Sequence, residues 1–343
     1  MKHRTVAFSK DACNLFFHIL TQCNLCCAHC YINKKEHGHS RLDLSTIKKW
    51  LAIFKTKASK TNLVILGGEP TLHPDLDQVV LSAREMGFKS ITVDTNGYLF
   101  HDVVDKINPA DLDFLSFSLD GATAKTNDAI RGEGCYTTVL AGIRKAAAKG
   151  FSCSMIYTVS DQNIHELERM PDLLQNLGIQ RFFIQVIGMR GNSAIPEKPN
   201  FQRSETIQHG TQVNKSAWLE MIPRVAQEIA RLNIPVIYPK VFLETNEPFE
   251  CAGNVADNYF IFPNGRVYQC PICEDLALHS FEIRENRLVP TPRINEKDLF
   301  GLCIPEGCVM NKLIQPENLA YDPSGRPLHK IACCLLKEEV CLT

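Results

Sequence analysis

Six short apolar runs separated by amphipathic stretches constrain this chain more than any other feature. The runs are NLFFHIL (14–20), NLVIL (62–66), SITVD (90–94), FLSFS (114–118), CSMIYTV (153–159) and RFFIQVI (181–187). They read as buried parallel strands. Between the first two, LSTIKKWLAIFKT puts Leu44, Ile47, Leu51 and Phe54 at helical spacing. LDQVVLSAREMG ends in Gly87, which reads as its C-cap. CYTTVLAGIRKAAAKG and IHELERMPDLLQNLG have the same helical character. Alternation of this kind predicts an α/β architecture on a parallel sheet. Right-handed crossovers then gather the strand C-termini at one rim.

The rest of the chain is organised differently. Residues 188–214 are polar and rich in Gly, Asn and Pro, and read as a long loop or lid. A helix is expected at 216–232, then a short strand in IPVIY. NYFIFPNGRVYQC reads as a β-hairpin turning at Pro263-Asn264-Gly265. A length of 343 residues suits two domains, or one large barrel with an appendage. The expected division is 1–214 and 215–343. The formal net charge of -1 supplies no global field for nucleic acid. No apolar run is long enough for a signal peptide or a membrane span. The fifteen cysteines therefore read as the reduced thiols of a cytoplasmic protein, many of them metal ligands.

Four of them, Cys23, Cys26, Cys27 and Cys30, lie in CNLCCAHC. Two C-x-x-C units would suggest a zinc tetrad. Adjacent Cys26 and Cys27 argue against it, because neighbouring side chains in an extended loop point in different directions. The other reading takes Cys23, Cys27 and Cys30 as C-x3-C-x2-C. Three protein thiolates on a four-iron cluster leave one iron open to an exogenous ligand.

CNLCCAHCY resembles the cluster loop of the radical S-adenosylmethionine (radical SAM) enzymes, in which the loop follows the first barrel strand. Further matches occur in order: LGGEP (Leu66 to Pro70), TNG (Thr95 to Gly97) and SFSLDG (Ser116 to Gly121). The resemblance covers roughly residues 14–190 and implies a partial (β/α)6 TIM-like barrel. It implies a [4Fe-4S] cluster on Cys23, Cys27 and Cys30 whose open iron chelates AdoMet. The reduced cluster then cleaves AdoMet to methionine and a 5′-deoxyadenosyl radical that takes a hydrogen atom from substrate. Gly67 and Gly68, lacking Cβ atoms, would allow close ligand approach, with Glu69 accepting from the AdoMet ammonium. Ser118, Asp120 and Asn96 are the other implied cofactor contacts, although Asp120 also reads as a helix cap. Tyr31 resembles the aromatic beside the adenine. Gly188 and Arg190 resemble the adenine-side loop, and Arg131 a carboxylate contact or a structural residue. His29 reads as packing or support.

Farther on, Cys251 is followed by Gly265 and Cys270 in a spacing that resembles the SPASM and twitch extensions. These are small cysteine-rich domains holding auxiliary iron–sulfur clusters. The full two-cluster pattern is not met. The expected ligands of one auxiliary [4Fe-4S] cluster are Cys251, Cys270, Cys273 and one of Cys303 or Cys308, with Cys308 preferred. A second cluster from the remaining thiols, and a zinc ribbon, are the alternatives.

The substrate expected from this resemblance is a peptide residue that is crosslinked, epimerised or oxidised. The alternative is a small molecule undergoing dehydrogenation, epimerisation or a cofactor-biosynthesis step. A flavodoxin or ferredoxin is the expected electron donor, and neither membrane nor nucleic acid is an expected partner. The catalytic residues are not legible. Cys153, Met155 and Tyr157 share one strand face, and Cys153 reads as core packing rather than a hydrogen donor. A non-catalytic iron–sulfur module is the third reading.

Overall fold

The computed structural model describes residues 1–9, 11–194 and 211–342. All six expected strands form: β1 (Cys13–His18), β2 (Thr61–Leu66), β3 (Ser90–Thr95), β4 (Phe114–Ser118), β5 (Cys153–Val159) and β6 (Arg181–Val186). They pair in chain order and all are parallel. The helices between them follow their sequence signals. Leu44–Ile53 is N-capped by Asp43, whose carboxylate accepts from Thr46 N. Leu76–Glu85 runs out at Gly87, whose φ of +82° suits a residue without Cβ. Lys215–Arg231 starts at Asn214, which caps Ala217 N.

Alternation along the strands divides the sheet into two faces. Leu15, Phe17, Ile65, Val93 and Phe117 are fully enclosed in the core under the helices. Cys153, Met155 and Tyr157 lie in that same core, so Cys153 packs as expected and does not reach the opposite face. That opposite face carries Phe16, His18, Asp94, Ser118, Thr158 and Gln185, and these line a cavity.

The sheet continues past both ends of the barrel. Beyond β6 comes Val236–Pro239 (β7), parallel, then Lys337–Cys341 and Lys2–Val6, both antiparallel. At the other edge Asp257–Ile261 (β8) runs parallel to β1. The hairpin expected at Pro263-Asn264-Gly265 forms between β8 and Arg266–Tyr268, with Gly265 at φ +85°. Phe281–Arg284 and Arg287–Pro290 extend it, and the described strands from Lys2–Val6 to Arg287–Pro290 make one sheet.

The division expected at 214/215 therefore does not coincide with a break in the sheet. Nor does it coincide with a break in the core, since helix Lys215–Arg231 buries Trp218, Ile222 and Val225 with the barrel residues. Most of the expected loop or lid, residues 195–210, lies outside the described residues.

Candidate functional site

A cavity of about 430 Å³ opens over the C-terminal ends of the barrel strands. Cys23, Cys27 and Cys30 stand in its wall, and Cys26, which is exposed, does not. The loop carrying them is held by backbone. Ala28 N donates to Ile130 O at 2.9 Å, and Asn192 donates from its side chain to Cys27 O at 2.8 Å and from its backbone to Cys30 O at 2.9 Å. Leu25 N points at Cys23 Sγ, 3.4 Å away. Asn96 Nδ2 donates to Asn24 Oδ1 at 2.8 Å and lies 3.8 Å from Cys23 Sγ. Burial pushes the Cys27 thiol up, and the nearby Arg131 guanidinium acts in the opposite sense.

Gly67 and Gly68 line the cavity, and packing also requires glycine there. A Cβ on Gly67 would lie 2.4 Å from Leu20 O, and one on Gly68 only 2.1 Å from Gln22 O. The missing side chains admit the backbone of residues 20–22, which leads into the cysteine loop. Gly68 N donates to Leu20 O at 3.0 Å and Glu69 N to Gln22 O at 2.9 Å, which locks the two loops together. Gly68→Ala should therefore displace the cysteine loop and cost about 1–3 kcal/mol of stability. Chemical denaturation read beside iron uptake checks this; unchanged values for both would contradict the packing argument.

Glu69 is also more constrained than expected. Its Oε1 accepts from Thr71 N (3.0 Å), Thr71 Oγ1 (2.6 Å) and Thr95 Oγ1 (2.8 Å), and its Oε2 from Asn96 N (2.7 Å). It ties the end of β2 to the end of β3, leaving Oε2 with acceptor capacity toward the cavity.

Asp120 departs from its expected place at the cofactor. It is fully buried and is absent from the cavity wall. Arg131 Nε lies 2.6 Å and His29 Nε2 2.8 Å from its Oδ2, while Thr158 N donates to Oδ1 at 2.7 Å. The helix that Asp120 was expected to cap, Ala124–Arg131, is capped by Thr123. Asp120 thus joins β4, β5 and the cysteine loop through His29 and Arg131. Ser118 does line the cavity.

Tyr31 and Arg190 are brought together, with the guanidinium carbon 4.7 Å from the ring centroid. Arg190 Nη1 donates to Pro271 O at 2.7 Å and lies 3.5 Å from Glu274 Oε2. Gly188 also lines the cavity. His18, not singled out in the sequence, sits between Ile261 O (3.1 Å from Nδ1) and Tyr31 Oη (3.0 Å from Nε2). Burial lowers its pKa to about 3, so the ring is neutral. Since a carbonyl only accepts, Nδ1 carries the proton and Nε2 accepts from the tyrosine.

Asp94 is the other residue missed. It lines the cavity, and burial raises its carboxyl to about 7, with nearby Ser116 acting in the opposite sense. Strand alternation was the available signal, because Asp94 shares the parity of the cavity-facing positions immediately before Thr95-Asn96-Gly97.

The opposite end of the cavity meets the C-terminal cysteines. Cys251, Cys270, Cys308, Cys333 and Cys334 line a second, smaller pocket, and Cys334 lines the large cavity as well. Cys308 thus lines the smaller pocket, whereas Cys303 is exposed and outside both. Cys273 is fully buried, its backbone N–H donates to Cys270 O at 3.2 Å, and it is in neither wall. Cys333 and Cys334 were not in the expected ligand set. Glu296 positions Cys270 by accepting from Gln269 N (2.7 Å) and Cys270 N (3.0 Å).

Among the described residues no three His, Cys, Asp or Glu donors are placed to hold a single metal ion. Cys23, Cys27 and Cys30 open directly onto a cavity with room for an exogenous ligand.

Residues 18–174 match the radical SAM superfamily. Among curated proteins, Fe-coproporphyrin III synthase of Methanosarcina barkeri is 32% identical over 204 residues, covering 57% of this chain and 50% of that protein. Pre-heme d1 synthase of Dinoroseobacter shibae is 29% identical over 198 residues, covering 55% and 48%. The chain thus spans about half the length of the curated relatives it matches. Among solved structures, Streptococcus suis SuiB bound to S-adenosylmethionine superposes with a TM-score of 0.59 at 17% identity, covering 78% of this chain and 62% of that one. That likeness concerns the fold.

Proposed function

We propose that this chain is a radical SAM enzyme, its residues 18–174 matching that superfamily, and that it uses AdoMet to abstract hydrogen from a substrate held between two iron–sulfur sites, with net oxidation of that substrate. The observation that carries this reading is the single cavity with Cys23, Cys27 and Cys30 at one end and Cys334 at the other.

Cys23, Cys27 and Cys30 would hold the AdoMet-binding cluster, which supplies the electron for reductive cleavage of AdoMet and so the abstracting radical. The C-terminal thiols would hold an auxiliary cluster, which supplies an acceptor for the electron left on the substrate. The carbonyls of Gly67 and Gly68 and the spare capacity of Glu69 Oε2 would receive the AdoMet ammonium. Tyr31, clamped by Arg190 and by neutral His18, would form a flat wall for the adenine. Asn96 and Ser118 would supply the remaining polar contacts. Asp120 would act at one remove, by fixing His29 and Arg131 behind the cysteine loop.

Loss of a hydrogen atom and then an electron leaves one proton to be released from the substrate. Asp94, in the cavity wall, would accept it. A carboxyl with a pKa of about 7 is protonated below that value and able to accept above it. Turnover should therefore rise with pH through about 7, and Asp94→Asn should flatten that limb while iron content is unchanged. A limb that persists in the variant would remove Asp94 from this role.

The substrate favoured is a small molecule of the cofactor-biosynthesis kind. AdoMet must share the cavity of about 430 Å³, and the curated relatives at 29–32% identity are named for making tetrapyrroles. A peptide residue is the second reading, favoured by the match to SuiB bound to its precursor peptide SuiA. The test of the function is anaerobic reduction of iron-loaded protein with AdoMet, followed by assay for 5′-deoxyadenosine. Its formation in the wild type and absence in Cys27→Ala supports the reading. No product from fully loaded wild type would leave a non-catalytic iron–sulfur module.

A further inference from the structure

Asn192 lies outside the cavity wall, yet its side chain reaches the backbone of the cysteine loop. Nδ2 donates to Cys27 O at 2.8 Å, and its backbone N–H donates to Cys30 O at 2.9 Å. Cys27 O also accepts from Cys30 N at 3.2 Å, so one carbonyl joins both of these thiol-bearing residues to Asn192. A second anchor holds the same stretch, where Ala28 N donates to Ile130 O at 2.9 Å. The chain from Cys27 to Cys30 is therefore strung between the end of helix Ala124–Arg131 and the turn that follows β6.

Gly191 brings Asn192 into place. Its φ is +57°, and a Cβ there would lie 2.3 Å from Cys30 O and 2.8 Å from Tyr31 Cα. Only glycine lets the two backbones approach so closely. The turn is closed from within by buried Ser193. Its Oγ accepts from Arg190 N at 3.2 Å and lies 2.8 Å from Gly188 O and 2.7 Å from Arg190 O. The other side of the turn is tied to the C-terminal segment. Met189 N donates to Ile314 O at 2.8 Å and Arg190 Nη1 to Pro271 O at 2.7 Å. The turn thus bonds the carbonyls of Cys27 and Cys30 in one direction and those of Pro271 and Ile314 in the other.

We propose that Asn192 is a positioning residue for the AdoMet-binding cluster: by donating to Cys27 O and Cys30 O it sets the spacing of those two thiolates, and with it the presentation of the cluster to AdoMet. The role rests on donation rather than on bulk. A side-chain amide gives a proton to a carbonyl, whereas an ionised carboxylate in its place only accepts and would face Cys27 O lone pair to lone pair. Residues that orient metal ligands change affinity or activity by about 10–100-fold when they are lost.

This inference rests on the radical SAM reading above, and one experiment separates the two. Full-length wild type, Asn192→Ala and Asn192→Asp are reconstituted anaerobically and reduced, and the EPR spectrum is followed as AdoMet is added. AdoMet should change a signal of the wild type; no change would overturn the reading and the inference with it. Asn192→Ala should need about 10–100-fold more AdoMet for half of that change, with the iron content of the wild type. Asn192→Asp, which keeps the shape and loses the donor, should be impaired more than Asn192→Ala. Gly191→Ala, which presses on Cys30 O and leaves the Asn192 side chain in place, should act in the same direction. An unchanged AdoMet requirement in both Asn192 variants would overturn the positioning role alone. So would a milder effect of Asn192→Asp than of Asn192→Ala, which marks a side chain that only fills space. Denaturation of the same samples covers misfolding, since loss of the folded state in Asn192→Ala would make Asn192 a residue of the fold and refute the proposal. Iron lost from a folded Asn192→Ala would show a residue needed to retain the cluster rather than to present it, and would overturn the assignment too.

Discussion

Cys27→Ala should lower iron occupancy of the N-terminal site more than about 100-fold and abolish 5′-deoxyadenosine formation, while Cys26→Ala should leave both close to wild type. Even residues that only support a metal ligand change affinity by about 10–100-fold when mutated, so removing a ligand must exceed that. The two thiols are neighbours in sequence and opposites in placement. Cys27 lines the cavity and has Arg131 beside it, whereas Cys26 is exposed and outside the wall. Iron analysis after anaerobic reconstitution, with chromatography of the nucleoside product, measures both effects. Equal losses in the two variants would mean that all four thiols of the loop are needed, which the three-thiol site does not allow.

Asp120→Asn should destabilise the fold by about 3–5 kcal/mol, because it leaves Arg131 buried without its counter-ion. Burial by itself would raise the Asp120 carboxyl, but Arg131 and His29 outweigh it and hold the pKa at about 2. The native value is thus depressed below the ordinary 3.8. The ionised form contributes stability at pH values above the ordinary value, and that contribution is lost as pH falls from about 4 toward about 2. Denaturant midpoints against pH should show this slope in the wild type and a shallower one in Asp120→Asn. The double variant Asp120→Asn/Arg131→Met should recover part of the loss, since removing both charges costs less than stranding one. A single variant within about 1 kcal/mol of wild type would refute the structural role given to Asp120 and return it to the candidate cofactor contacts.

Local signals carried the barrel. Each of β1 to β6 was legible because apolar runs and helical periodicity alternate along the chain, and the Pro263-Asn264-Gly265 turn was legible from its own residues. The partner of β8 was not. β8 lies parallel to β1, with Phe260 opposite Phe16, and no local pattern encodes a pairing so distant in sequence.

At the site, the residue types were legible and their partners were not. Gly67 and Gly68 are required by backbone from residues 20–22, and Glu69 by donors on two strands. Only folded geometry shows either. Asp120 could be read as a cap or a cofactor contact, and it is a buried ion-pair centre. Cys333 and Cys334 stood outside the expected ligand set of one auxiliary cluster because adjacent cysteines fit no ligand spacing. Asp94 shows that strand parity alone could have found a cavity carboxylate.

The measurement closest to the central claim is EPR of the reduced, reconstituted wild type with and without AdoMet. The two iron–sulfur sites proposed to face one cavity predict two signals. AdoMet should change one of them, and that one should be missing from the Cys23/Cys27/Cys30→Ala variant, while the other persists there. A single signal, or a pair that AdoMet leaves unaltered, would contradict the account.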